Sequence, residues 1–318
     1  MALKGQSLPP GGTIGVPAPA WCYQQRSDIL RGVEWWEARG YKVKLAEGIY
    51  ERQGYVAGSP EQRGRDLTAM FADDEVDFVQ CSGAGFGSAH TIPHIDFDVI
   101  RANPKPFMGY SDITALHAAI GHHTGLVTFH GPIFDEVNQH YVTELTSDSM
   151  MRALTHPGPL GRVPNIPEDP YVRAFNGGKV TARLVGGCLW LLGQTIGTPW
   201  QIDLRGNILF FEEVAAPPWY IDGLLTQMEQ AGMFEGVAGI VIGEMTNCDW
   251  SVNSSHNWPG HLSTEDVFEM HLEPLGVPMI YGLPLGHGKH LWTLPLGVTA
   301  TLDADERSLT IDEPALEA

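Results

Sequence analysis

The sequence predicts an α/β protein of two domains, the first built on a parallel sheet. Three observations predict it. Short apolar runs alternate with helix-period segments from Thr13 to Leu116, the pattern of strands joined by covering helices. A proline-dense stretch then breaks that alternation, and a second set of apolar runs follows it. At 318 residues the chain is long enough for two cores.

Thr13 to Pro17 reads as the first strand, after Pro9-Pro10-Gly11-Gly12. A helix is predicted from Ser27 to Arg39, with Ile29, Leu30, Val33 and Trp36 on one face and Gly40 to end it. Tyr41 to Leu45 alternates like a strand. The next helix has a cap at Ser59, proline at its first position and Gln62 three residues past the cap. Leu67, Met70 and Phe71 supply its apolar face. Val76 to Cys81 is a strand that runs into the glycine loop Ser82-Gly83-Ala84-Gly85-Phe86-Gly87-Ser88. Pro106 to Gly109 is another, followed by Tyr110-Ser111-Asp112 and a helix-like pattern. In parallel sheets ligands bind at the carboxyl ends of strands, where both the glycine loop and Ser111 fall.

From Phe134 to about Val180 the pattern loosens. A short helix around Ser147 to Leu154 precedes Pro157, Pro159, Pro164, Pro167 and Pro170. The domains are expected at 1–165 and 179–318, with a linker at 166–178 ending in Asn176-Gly177-Gly178. The second half opens with a strand at Lys179 to Leu184, then Gly186-Gly187-Cys188. Asn207 to Phe211 is a continuous apolar run that ends in Glu212-Glu213. A helix follows Pro217-Pro218, then a strand at Val237 to Ile242. Asn247 to Gly260 reads as loop. Ser263 caps a helix at Thr264 to Leu272. Met279-Ile280-Tyr281 leads to Gly286-His287-Gly288, and a hairpin turning at Asp305-Glu306 closes the chain.

With 43% hydrophobic and 18% charged residues, the chain reads as soluble and globular. Its 19 Lys and Arg face 38 Asp and Glu, a net charge of −19. Nucleic acid and anionic membranes draw their affinity from basic patches, so both are poor matches. A small anionic substrate stays compatible, because a local field can oppose net charge. The first residues show no charged segment leading into a long apolar run, so neither a signal peptide nor a transmembrane span is expected. Cys22, Cys81, Cys188 and Cys248 are far apart and lack CxxC spacing. Free, mostly buried thiols and a cytoplasmic location are the expectation, with no zinc site.

Several residues carry candidate chemistry. Ser111 lies at a strand-to-helix bend, where helix N–H groups can stabilise an oxyanion, although serine is equally a favoured helix cap. The second glycine of G-x-S-x-G is missing. Glu212 ends a buried strand and must be paired there, with a catalytic histidine or with an arginine such as Arg205 or Arg183. His287 lies between glycines, which let a ring reach into a cleft. Together Ser111, Glu212 and His287 could supply nucleophile, orienting carboxylate and base. His90 and His94 have a helical ligand spacing, but Pro93 between them argues against a metal site. Gly83-Ala84-Gly85-Phe86-Gly87 departs from the dinucleotide fingerprint, so no nucleotide cofactor is expected.

These residues resemble the LD-carboxypeptidase family of serine peptidases, which also contains the microcin C immunity proteins. The likeness rests on Leu8 to Gly15, Ala57-Gly58-Ser59 with Arg63 and Asp66-Leu67, Ile95 to Asp98, Asn103 to Pro106 and Gly109 to Leu116. It continues through Gly186-Gly187, Ile208 to Glu213 and Gly286-His287-Gly288. The resemblance implies a class I amidotransferase-like N-terminal domain and a swivelling, mainly β, α/β C-terminal domain. It implies a Ser–His–Glu triad of Ser111, His287 and Glu212, and an oxyanion hole from the backbone N–H groups of Asp112 and Gly85. It implies cleavage of an amide in a murein-type peptide, or in an aminoacyl or peptidyl nucleotide, without metal or cofactor. Trp250, Trp258 and Lys289 are the candidate substrate-binding residues, and a homodimer is expected. The family's carboxypeptidases usually read R-G-G-Y-G where this chain has Gly83 to Gly87, and G-G-N where it has Gly186-Gly187-Cys188. The glycine loop has therefore lost a cation.

Overall fold

In the computed structural model, which describes residues 2–23, 25–137, 142–166, 171–249 and 262–317, the chain divides into two units. The first comprises 1–160, 291–298 and 313–318, and the second 161–290 and 299–312.

The first unit opens with β1 (Thr13–Val16), α1 (Arg26–Glu37), β2 (Lys42–Leu45), α2 (Pro60–Ala72) and β3 (Phe78–Gln80). Ser59 caps α2 by accepting from the Gln62 N–H at 3.3 Å, as the sequence pattern requires. Two short helices, α3 (Ser88–Thr91) and α4 (Phe97–Ala102), precede β4 (Phe107–Gly109). Asp96 caps α4 by accepting from two backbone N–H groups. Then come α5 (Thr114–Thr124), β5 (Thr128–His130) and α6 (Glu144–Thr155). The strands β5-β4-β3-β1-β2 lie side by side and pair in parallel. The four strands other than β2 are buried, including Ile14, Val16, Phe78, Phe107 and Phe129, while β2 at the edge is partly exposed. Between layers, Trp36 Nε1–H donates to Gln80 Oε1 at 2.9 Å, which satisfies two buried polar groups at once.

The second unit holds β6 (Gly161–Arg162), β7 (Arg173–Asn176), β8 (Lys179–Cys188), α7 (Leu189–Gln194), β9 (Asn207–Val214), α8 (Pro218–Gln230), β10 (Gly239–Thr246), α9 (Thr264–His271) and β11 (Met279–Tyr281). The chain then returns to the first unit as β12 (Leu294–Leu296), antiparallel to β5. It re-enters the second as the hairpin β13 (Thr299–Asp303) and β14 (Ser308–Ile311). The second sheet runs β6-β14-β13-β8-β9-β10-β11-β7, parallel across β8 to β11 and antiparallel on both flanks.

Two sequence expectations need correction here. Part of 166–178, read as linker, is strand β7, because Arg173–Asn176 pairs with β11. The assignment of all of 179–318 to the second domain also differs, since Leu291–Val298 and Glu313–Ala318 pack in the first unit. Neither short segment carries a local signal of its sheet; pairing partners far away in sequence decide it.

The strand that carries Glu212 is held by one cluster. Leu209 and Phe211 of β9, Ile240 and Ile242 of β10 and Met279 of β11 pack against Leu225 and Met228 of α8 and Phe268 of α9. Phe268 meets Phe211 edge-on with ring centroids 5.8 Å apart. Phe268→Ala removes this fully buried ring, and urea unfolding should show a loss of about 3–5 kcal/mol. A loss below about 1 kcal/mol would mean the cluster does not anchor β9.

Candidate active site

The bend after β4 is strained. Ser111 is a non-glycine residue with φ of 60°, in the left-handed region. A tight helical turn over Ser111–Ile113 begins there and α5 follows from Thr114. The cap position belongs to Tyr110, in extended backbone, so Ser111 is not the helix cap that its residue type allows. Such a conformation costs of order 1–3 kcal/mol and persists only where surrounding groups impose it.

Those groups are identifiable. The Asp112 carboxylate accepts the Ser88 N–H at 2.8 Å, and the Ser88 hydroxyl donates to the Asp112 carbonyl at 2.6 Å. Burial raises the Asp112 pKa, against the pull of the Ser88 hydrogen bonds and the Arg63 charge. His117 of α5 donates from Nε2–H to the Gly109 carbonyl at 2.9 Å. Burial lowers His117 to about 4, so the ring is neutral and serves as a donor. The Tyr110 hydroxyl donates to Glu136 at 2.6 Å. Every residue around Ser111 is thus tied to another element.

The glycine loop is tied down in the same way. Arg63, 1% exposed, donates from Nη1 to the carbonyls of Pro19 at 2.9 Å and Gly87 at 2.8 Å. Its guanidinium ties the end of the glycine loop to the segment that follows β1. Gly85 adopts φ of +90°, and a Cβ there would lie 1.9 Å from the Trp21 ring. Only glycine therefore permits this approach. Trp21 and Tyr55 are exposed at the loop, and Phe86 stacks edge-on between Tyr55 and His90.

In the second unit, His287 Nδ1 lies 2.6 Å from Glu212 Oε2. A carboxylate can only accept, so Nδ1 carries the proton and Nε2 is left as the basic nitrogen. Glu212 is fully buried, and its Oε1 has no hydrogen-bond partner among the described residues. The neighbouring Glu213 points to the opposite face of β9, where it accepts from the N–H groups of Trp190 at 2.8 Å and Val214 at 2.9 Å. Burial raises its pKa. Cys188, in register with Glu212 on β8, directs its thiol at Glu213 at 3.6 Å. Gly286 adopts φ of +119°, and a Cβ there would lie 2.5 Å from Glu212 Oε2. The glycine before His287 is required by the carboxylate.

Of the alternative partners of Glu212, Arg205 binds Asp203 at 3.1 Å instead. Lys289 is exposed in the loop that carries His287. Trp250, Trp258 and His256 lie outside the described residues. His90 and His94 fall on separate short helical turns, and among the described residues no group of His, Cys, Asp and Glu could hold a metal ion. None of the four cysteines is joined in a disulfide. Among the described residues, no helix is long and apolar enough to cross a membrane. Sequence reasoning missed Ser88, His117 and Glu136, whose contacts span many residues and leave no local pattern.

Family profiles for the LD-carboxypeptidase N-terminal and C-terminal domains match residues 14–131 and 181–302. A probable murein peptide carboxypeptidase of Bacillus subtilis (strain 168) is 36% identical, over 97% of this chain and 94% of its own length. The microcin self-immunity protein MccF of Escherichia coli is 28% identical, over 99% of this chain and 97% of its own. A solved structure of MccF in complex with aspartyl sulfamoyl adenosine superposes with a TM-score of 0.87 at 25% identity, covering 99% of this chain and 100% of that one.

Two outcomes follow from this geometry. Gly286→Ala should displace Glu212, and the far-downfield imidazole Nδ1–H proton resonance expected of His287 should vanish, as it should in Glu212→Gln. Its persistence in Gly286→Ala would show that the carboxylate tolerates a methyl group. Asp135 provides a pH dependence. Burial, then Glu136 and Asp28, push its carboxyl up to about 8. Between about 4 and about 8 the folded chain keeps a proton that the unfolded chain has released. Stability should therefore fall as pH rises through that window, by at most about 1.4 kcal/mol per pH unit. Asp135→Asn should flatten this part of the stability curve, read by urea unfolding at a series of pH values.

Proposed function

Because the chain belongs to the LD-carboxypeptidase family of serine peptidases, we propose that Ser111, His287 and Glu212 act as a Ser–His–Glu triad cleaving an amide bond in murein-type peptides. The observation that carries this reading is the 2.6 Å hydrogen bond between His287 Nδ1 and a fully buried Glu212. It leaves Nε2 as a base of fixed tautomer. The strained, heavily supported Ser111 turn adds to it, because strain of this kind clusters at functional sites.

In this mechanism His287 Nε2 takes the Ser111 proton as Oγ attacks the substrate carbonyl. The backbone N–H groups of Asp112 and Gly85 stabilise the oxyanion, each worth roughly 3 kcal/mol. The imidazolium, balanced by Glu212, gives its proton to the leaving nitrogen, and an acyl-enzyme forms on Ser111. Water, deprotonated by His287, then releases the acid and restores the serine.

A second substrate class, aminoacyl or peptidyl nucleotides, is favoured by the aromatic surround of the glycine loop. Trp21 is 44% and Tyr55 59% exposed there, surfaces on which a flat base can stack.

Intact-mass measurement after treatment with a serine-directed phosphonate tests the nucleophile. One adduct is expected on the wild type and none on Ser111→Ala, with hydrolysis falling at least about 10⁴-fold in the variant. An equal adduct on both proteins would refute the assignment. Rates on murein tetrapeptide and on aspartyl sulfamoyl adenosine decide the substrate class: efficient turnover of the peptide alone removes the nucleotide reading, and the converse removes the peptide.

A further inference from the structure

Arg63 and Asp112 are buried charges in the first unit, 1% and 3% exposed, and one peptide group lies between them. Arg63 Nη1 donates to the Gly87 carbonyl at 2.8 Å. The N–H of that same peptide belongs to Ser88, and it donates to Asp112 Oδ2 at 2.8 Å. A guanidinium on the carbonyl polarises the peptide and makes its N–H a stronger donor, so the two bonds reinforce each other. Gly87 permits the arrangement: its φ is +105°, and a Cβ there would lie 2.7 Å from Val56 and 3.0 Å from Arg63 Nη1. Ser88 then grips Asp112 a second time, its hydroxyl donating to the Asp112 carbonyl at 2.6 Å. Asp112 is thereby held by side chain and main chain at once. It directly follows Ser111, whose φ is 60°. Relaxing Ser111 to a negative φ would swing Asp112 away from Ser88.

We propose that Ser88 is a positioning residue for amide hydrolysis, holding the Ser111 turn and the Asp112 N–H in their reactive arrangement, with Arg63 anchoring it through the Gly87–Ser88 peptide. This rests on the reading of Ser111 as nucleophile and adds to it the groups that keep its turn strained. Ser88 acts through Asp112 and not on the substrate. Its two bonds restrain both ends of the residue whose N–H faces the oxyanion in that mechanism, and a donor aimed in advance needs no reorganisation as charge develops. A clamp that served stability alone would lower the melting temperature and leave the rates of the folded enzyme unchanged. A positioning residue slows the chemical step while the fold stands, because small misplacements of reacting groups are costly in rate.

Ser88→Ala removes the hydroxyl bond and keeps the N–H bond. The Asp112 carbonyl still accepts from the Thr114 N–H, so the variant orphans no buried group and should fold, as thermal melting checks. Labelling of Ser111 by a serine-directed phosphonate, followed by intact mass, should be at least about tenfold slower than in the wild type. On whichever of murein tetrapeptide and aspartyl sulfamoyl adenosine the wild type hydrolyses, kcat should fall in similar proportion while KM stays within about threefold. Ser88→Thr keeps the hydroxyl and should label within about threefold of the wild type. If Ser88→Ala melts low, Ser88→Cys fills the site with a weak donor and is read in the same way. A folded alanine or cysteine variant that labels within about twofold of the wild type would overturn the proposal. So would a raised KM with kcat unchanged, or a folded threonine variant no faster than alanine. A wild type that takes no label on Ser111 refutes the nucleophile and the inference with it, whereas a labelled wild type with an unslowed variant refutes the role of Ser88 alone.

Discussion

A carboxylate with no solvent exposure must find a donor, and in the second unit that donor is His287. Much of the local structure follows from this one requirement. The apolar run Ile208 to Phe211 drives β9 into the sheet interior, and it delivers Glu212 to the strand's end already desolvated. The alternation of a strand then sends Glu213 to the other face, where the Trp190 N–H at the start of α7 and the Val214 N–H receive it. Gly286 gives the space into which the Glu212 carboxylate fits, so the loop bearing His287 can approach β9 at hydrogen-bond distance. A side chain at 286 would push the histidine off its acceptor and leave a buried charge unpaired.

The first unit solves a different problem, holding a serine in a conformation it does not prefer. No single contact does this. His117 fixes the end of β4, Tyr110 is tied to Glu136, and Asp112 is tied twice to Ser88. Because Ser88 begins α3 directly after the glycine loop, the same pair of bonds couples the loop to the serine turn. Arg63 ties the same end of the loop, at Gly87, to Pro19 after β1. Loop and turn are therefore tied to each other.

Features written into neighbouring residues were legible from the chain. Ser59-Pro60 starts α2, Ser263 caps α9 with a reciprocal bond to Asp266, and the hairpin closes at Asp305-Glu306. Glu212 and His287 were legible as candidates because each stands at the end of an apolar strand, where burial demands a reason. The cap reading of Ser111 failed because composition reports which residues can cap, whereas the sign of φ depends on the packing of the whole bend. Strands β7 and β12 were missed for a similar reason. Each is three or four residues long and pairs with a segment more than a hundred residues away. Periodicity has nothing to measure over so short a span.

The glycine loop is where charge bears most on substrate choice. Gly83 stands where carboxypeptidases resembling this chain usually carry arginine, and the carboxyl group nearest that position belongs to Asp135. With glycine instead, the acid is left among Glu136 and Asp28 in a buried setting, and its pKa climbs. Arg63 donates from Nη1 to two backbone carbonyls, those of Pro19 and Gly87. A carboxylate brought beside Gly83 would raise the cost of ionising Asp135 further.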